Sequence, residues 1–137
     1  MEDLKALKQS AENNAYKYDN PVSSLLETFN SPSYPGDLEV DIETDEFTCL
    51  CPITGQPDYG TIRVRYWPNQ KCVESKSFKL YLMQFRNHGS FHEAITAKIC
   101  ADLVEVLSPQ MVTVQGRFKP RGGIQFWPTA SYHSQEK

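Results

Sequence analysis

The chain has 137 residues, of which 39% are hydrophobic and 23% charged, with a net charge of -3 and a mean hydropathy of -0.52. That length suits one domain able to bury most of its unfolded surface. The acidic balance argues against a phosphate-backbone surface, which needs clustered Lys and Arg, and no apolar run approaches the ~18 residues of a membrane span. The opening MEDLKALKQSAENN lacks the apolar stretch of a secretory signal. The expectation is a cytoplasmic protein with no direct nucleic-acid partner and no membrane partner.

Residues 1–36 are polar and carry Pro21, Pro32, Pro35 and Gly36. They read as an N-terminal arm laid over the domain or a neighbour, with one helical turn where Ser24 and Glu27 stand at capping-box spacing. From residue 37 the pattern changes. Leu38, Val40 and Ile42 alternate with Glu39, Asp41 and Glu43, a half-buried strand that resumes through Phe47 to Leu50. The run Cys51-Pro52-Ile53-Thr54-Gly55-Gln56-Pro57-Asp58 follows, and its two prolines and glycine predict a rigid loop bearing both Cys51 and Asp58. Ile62, Val64 and Tyr66 alternate with Thr61, Arg63 and Arg65, a second strand that ends at Trp67-Pro68-Asn69.

Phe78, Tyr81, Leu82 and Phe85 lie on one helical face, and His88-Gly89 supplies its stop. Ile95, Ile99, Leu103, Val106 and Leu107 make a second helical stripe, opened by Ser90 and closed before Pro109. Val112, Val114 and Phe118 alternate with polar residues. The turn Pro120-Arg121-Gly122-Gly123 leads to a last strand with Ile124 and Phe126. Residues 131–137 read as a frayed tail. The fold class is therefore α+β: residues 37–130 form a four-stranded antiparallel sheet with two helices on one face. Its free edges invite pairing with further copies of the chain, which motivates a homo-oligomer.

Three clusters can carry chemistry. Cys51 with Asp58 offers a positioned thiol and a proton carrier, the minimum for covalent attack on an electrophilic carbon. The bland alternative is a partly buried cysteine with Asp58 capping a turn. Cys49 shares a strand face with Cys51, but Pro52 breaks the strand there, which disfavours a shared metal or a disulfide. Second, His92 and Glu93 open the second helix, where Ser90 and Glu93 also fit a capping box. In the functional reading Glu93 accepts the two adjacent N–H donors of a guanine-like edge while His92 contributes a proton. Third, Glu74-Ser75-Lys76-Ser77-Phe78-Lys79 opens the first helix with hydroxyls and lysines suited to an anion, or forms only a capped, solvated start. No G-x-G-x-x-G follows a strand, so a nicotinamide dinucleotide would bind without a Rossmann domain.

In this order the segments Phe47–Asp58, Val73–Tyr81, Phe85–Glu93 and Phe118–Gly123 resemble the NADPH-dependent nitrile reductase family acting on 7-cyano-7-deazaguanine, in its single-module form. The resemblance covers Glu46 to Pro128. It implies the tunnelling fold, with sheets joined edge to edge into barrels and subunits in stacked rings, often decamers. It also implies sites at subunit interfaces. Carried over by motif, Cys51 resembles the nucleophile that forms a thioimide, Asp58 the proton donor and His92 a further proton carrier. Val73, Glu74 and Ser75, with His92 and Glu93, resemble the substrate pocket. Ser75, Lys76, Arg121 and Gly122 resemble the NADPH contacts. The implied product is the aminomethyl deazaguanine, a precursor of queuosine in tRNA, made from a small deazapurine nitrile.

The alternatives are the amidine-forming relative, which resolves the same adduct with ammonia, and a non-catalytic purine- or pterin-binding module. Glu74–Lys79 argues for the reductase over the first, and Cys51 with Asp58 argues against the second. A cyclohydrolase of the same fold would need zinc ligands, a grouping that Cys51, Cys72 and Cys100 do not offer, so no metal is expected.

Overall fold

The computed structural model describes residues 18–135. After a 3-10 turn at Ser23–Leu25, the strands are β1 (Thr28–Asn30), β2 (Val40–Leu50), β3 (Pro57–Trp67), β4 (Lys71–Val73), β5 (Met111–Arg121), β6 (Ile124–Phe126) and β7 (Thr129–His133). Helices α1 (Ser75–Met83) and α2 (His92–Leu107) lie between β4 and β5.

The main sheet is antiparallel in the order β2-β3-β5, with β6 and β7 both paired to the far side of β5. Phe118 opposes Phe126 in β6, while Gln115 to Met111 oppose Thr129 to His133 in β7. The two short strands thus lie end to end along β5. They are interrupted at Trp127-Pro128, where Gly116 N–H still reaches the Pro128 carbonyl at 2.9 Å. Proline has no N–H to give and breaks the ladder locally. The sheet is four strands wide, as the sequence order implies.

Alternation sorts its two faces. Asp58, Gly60, Ile62, Val64 and Tyr66 of β3, with Val112, Val114, Gly116 and Phe118 of β5, are buried beneath the helices. Ile95, Ile99, Leu103 and Leu107 of α2 meet them there, and each such side chain contributes about 1.5–3 kcal/mol by leaving water. The opposite face carries ion pairs, Arg63 to Asp41 at 2.8 Å and Arg65 to Glu39 at 2.6 Å. These are exposed and add roughly 0–1 kcal/mol each.

Helix α1 starts where the Glu74 carboxylate accepts from Lys76 N–H (2.8 Å) and Ser77 N–H (2.7 Å). Those bonds hold the Glu74 carboxyl below the usual carboxylate range, the Ser77 N–H most of all. The helix ends in tight turns at Gln84, Phe85 and Arg86. Helix α2 ends at Ser108, which adopts a left-handed conformation with φ 44°.

Three expectations are corrected. Ser24 and Glu27 do not form a capping box: the turn closes at Leu25 and the chain extends into β1, which pairs with β4. Glu27 N–H bonds instead to Ser77 Oγ at 2.9 Å. Where the arm is described it lies against the domain, with Leu26 in the core and the Arg86 guanidinium over the Tyr18 ring. Residues 131–133 are not frayed but belong to β7, because β5 offers a free edge there. Finally, Asp58 stands in β3 opposite Cys49, not on the loop with Cys51. The front of the expected arm, residues 1–17, and the last two residues of the expected tail lie outside the described residues.

Candidate active site

Cys51 follows directly on β2. Its N–H donates to the Gln56 carbonyl at 2.8 Å and its own carbonyl accepts from Gly55 N–H at 2.9 Å, so residues 51–56 close into one tight loop. Gly55 makes the reversal at φ 72°, a conformation glycine adopts without strain. The Thr54 hydroxyl, then the N–H groups of Thr54 and Ile53, hydrogen-bond the half-exposed Cys51 sulfur. They draw its pKa down from 9.0 to about 7, against the opposing effects of burial and the Asp58 charge. Cys49 shows the contrast: burial pushes its thiol up to about 12, and Asp58 adds to that.

Strand period places Asp58 on the helix side, with 8% of its side chain exposed. His92 Nε2 lies 3.2 Å from its Oδ2, and Arg121 Nη2 contacts its Oδ1. Arg121 Nη2 also donates to the Pro57 carbonyl at 3.3 Å. That guanidinium is delivered by the hairpin between β5 and β6. Its two-residue turn, Gly122-Gly123, has φ of 57° and 77°, a shape that favours glycine at both positions.

His92 reaches this spot because the segment before α2 is stitched to the end of β2. Leu50 N–H donates to the His88 carbonyl at 3.1 Å, and Ser90 N–H donates to the Leu50 carbonyl at 3.2 Å. The helix therefore begins beside the Cys51 loop. The expected capping box at Ser90 and Glu93 is absent: Phe91 is the N-cap residue and no side chain caps the helix. Glu93 is exposed and its side chain makes no hydrogen bond or ion pair with the described residues. Its carboxylate is thus free to face a ligand.

Cys51, Asp58, His92, Glu93 and Arg121 line one cleft of about 220 Å³, together with Lys119. Val73 and Ser75 do not join them. They line a second cavity of about 440 Å³ between β2 and α1, with Phe78, Lys79 and Arg86, and the two cavities share no lining residue. Glu74 is engaged in capping α1, Lys76 is exposed nearby, and Gly122 stands in open space at the hairpin tip. Among the described residues, no three His, Cys, Asp or Glu side chains are grouped to hold a metal, and no helix is long and apolar enough to cross a membrane.

Sequence reasoning missed Thr54, although it stood inside the singled-out loop. A hydroxyl three residues beyond a loop thiol was the available signal. It also missed Phe118 as a neighbour of His92, because the core periodicity of β5 accounts for that ring without any reference to the site.

A family model described as QueF-like protein matches residues 57–137. The NADPH-dependent 7-cyano-7-deazaguanine reductase of Anaeromyxobacter sp. (strain K) is 53% identical over 107 residues, covering 78% of this chain and 88% of its own length. The protein of the same name from Streptococcus mutans serotype c is 46% identical over 132 residues, 96% of this chain and 80% of its own. Among solved structures, the apo archaeosine synthase QueF-Like superposes with a TM-score of 0.64 at 18% identity, covering 74% of this chain and 98% of that one. At that identity the likeness concerns the fold alone, which is the tunnelling fold.

Proposed function

This chain belongs to the QueF-like protein family, and from that premise we propose that it reduces the nitrile 7-cyano-7-deazaguanine to the 7-aminomethyl compound with NADPH. The observation that carries the chemistry is the company Cys51 keeps. A thiol with a pKa of about 7 shares a cleft with the carboxyl of Asp58, the imidazole of His92 and the unengaged carboxylate of Glu93.

Cys51 sulfur attacks the nitrile carbon, forming a C–S bond as one nitrile π bond breaks. Asp58 supplies the proton taken up by nitrogen, leaving a thioimide. His92, in contact with the Asp58 carboxyl, passes protons through it. Glu93 receives the paired N–H edge of the base, which fixes the nitrile over the sulfur. NADPH, when bound, supplies hydride to the thioimide carbon and then to the imine. Lys119 at one rim of the cleft, and Arg121 where it is not engaged by Asp58, would meet the phosphates of such a dinucleotide, beside the open space at Gly122 on the hairpin tip. When the C–S bond breaks, the sulfur departs as a thiolate, and the Thr54 hydroxyl stabilises that charge.

Of the other expected contacts, Val73 and Ser75 line the separate β2–α1 cavity, and Lys76 follows Ser75 in the first turn of α1. Their separation from Cys51 supports an assembly in which a second copy brings that cavity to the cleft. The free edges of β2 and of β6 with β7 are available for such pairing. Stacked rings of this kind suit the tunnelling fold, and a monomer in sedimentation at micromolar concentration would count against them. The free thiols and the NADPH requirement suit the reducing cytoplasm.

Intact mass after mixing with the nitrile, without NADPH, tests the reading. A covalent adduct that disappears in Cys51→Ala supports it, and an unmodified wild-type protein sinks the mechanism. Added NADPH should then be oxidised to about two equivalents per nitrile, as a four-electron reduction requires. Resolution by ammonia instead would indicate the amidine-forming chemistry.

A further inference from the structure

The His92 imidazole lies flat on the Phe118 ring, with centroids 3.7 Å apart and planes within 2°. Phe126, the β6 partner of Phe118 in the ladder, closes on the imidazole edgewise at 5.9 Å and 74°. Two glycines make room for this stack. A Cβ on Gly116 would stand 2.6 Å from Phe118 Cε2 and 3.0 Å from Thr96 Oγ1. A Cβ on Gly60 would stand 2.8 Å from the Arg117 carbonyl oxygen and 3.1 Å from Phe118 Cδ1. Thr96 in turn donates its hydroxyl to the His92 carbonyl at 2.8 Å. Gly116 is therefore in contact with both groups that hold His92, one under its ring and one under its backbone.

We propose that Phe118, seated by Gly116 and Gly60, is a positioning residue that sets the plane of the His92 imidazole so that Nε2 meets Asp58. An imidazole on the first turn of a helix has two free side-chain torsions, and the torsion that turns its ring is broad and poorly defined by itself. Stacking on a ring only 2% exposed, with Phe126 set edgewise beside it, restricts that freedom. With the plane held, Nε2 points to Asp58 Oδ2 at 3.2 Å. Phe118 touches no reacting atom and acts only through His92.

The inference rests on the nitrile reductase reading and is tested by a double-mutant cycle in the full chain. Adduct formation with 7-cyano-7-deazaguanine is timed for wild type, Phe118→Leu, His92→Gln and the double variant. Leucine keeps the apolar volume and loses the flat face. The expected result is a roughly tenfold slowing by Phe118→Leu in the wild-type background, with unchanged substrate affinity, and less than about twofold in the His92→Gln background. Equal slowing in both backgrounds means a merely structural core residue and overturns the inference. If wild type forms no adduct, the reaction assignment fails instead, a distinct outcome. If the leucine variant does not fold, Phe118→Met takes its place in the cycle, since methionine also fills the space without a flat face. Proton NMR of wild type gives a readout that needs no variant. Ring protons of His92 must resonate upfield of an ordinary histidine, and unshifted resonances overturn the stack.

Discussion

Replacing Thr54 with valine keeps the shape of the side chain and removes the hydroxyl that contributes most to lowering the Cys51 pKa. With that pKa at about 7, about half the thiol is ionised at pH 7, against roughly 1% at its ordinary 9.0. The N–H groups of Ile53 and Thr54 still donate to the sulfur in the variant, so only part of this difference is lost. A midpoint raised by about one unit leaves roughly a tenth of the thiol ionised at pH 7, a roughly fivefold loss of thiolate. The more basic thiolate is also about threefold more reactive, given a Brønsted slope of ~0.4–0.5. The two effects predict crossing curves: alkylation of Cys51 by iodoacetamide roughly twofold slower at pH 7 and roughly threefold faster above pH 9. Rates measured by intact mass from pH 5 to 10 give the profile, with Cys51→Ala as the blank. Thr54→Ser should follow wild type. A valine profile that superimposes on wild type at every pH refutes the hydroxyl's role.

Further expectations concern the frame around the site. Tyr81→Phe removes the hydroxyl donated to Asp102 Oδ2 at 2.5 Å in the core and should cost about 1–2 kcal/mol, read as a melting temperature lower by a few degrees. Burial first, then Asp102, pushes the Tyr81 phenol well above its ordinary 10.0, so its stabilising effect is complete below pH ~10 and lost as pH rises beyond it. Chemical denaturation across pH 9 to 12 should therefore show a shallower alkaline loss in Tyr81→Phe than in wild type. Leu26→Ala should cost about 2–5 kcal/mol by denaturant titration, and a change under about 0.5 kcal/mol would count against its place in the core. Gly123→Val, at a φ of 77°, should strain the hairpin by about 1–2 kcal/mol and raise the KM for NADPH through Arg121 more than it lowers the rate of adduct formation.

The strand and helix pattern was legible because each element repeats its own signal. Ile62, Val64 and Tyr66, then Val112, Val114 and Phe118, announce period two, and Ile95, Ile99 and Leu103 announce a helix. Asp58 was misplaced on the loop because Pro57 reads as a breaker, yet a proline is tolerated as the first residue of a strand. Counting back by twos from Ile62 reaches Gly60 and then Asp58, so its inward face was available to a longer count. The β1–β4 pair and β7 were missed for another reason. Three- and five-residue strands carry too little alternation to stand out, and they form because a partner edge is already present. Ser90 and Glu93 matched a capping pattern that the bonds between Leu50, His88 and Ser90 override by fixing how the chain enters α2.

By itself the sequence determined which residue types share a face, where the thiol loop lies and which family the chain resembles, since periodicity and motif are local properties. Tertiary structure alone decided that the Asp58 carboxyl lies between His92 and Arg121, side chains 34 and 63 positions further along the chain. It also decided that Thr54 and the loop N–H groups bring the Cys51 thiol to about 7 and that Phe118 lies beneath the imidazole. It decided too that Val73 and Ser75 line a cavity apart from Cys51. The physical reason is that each of these depends on strand register and loop closure between distant segments, whose hydrogen bonds are settled only once the sheet has formed.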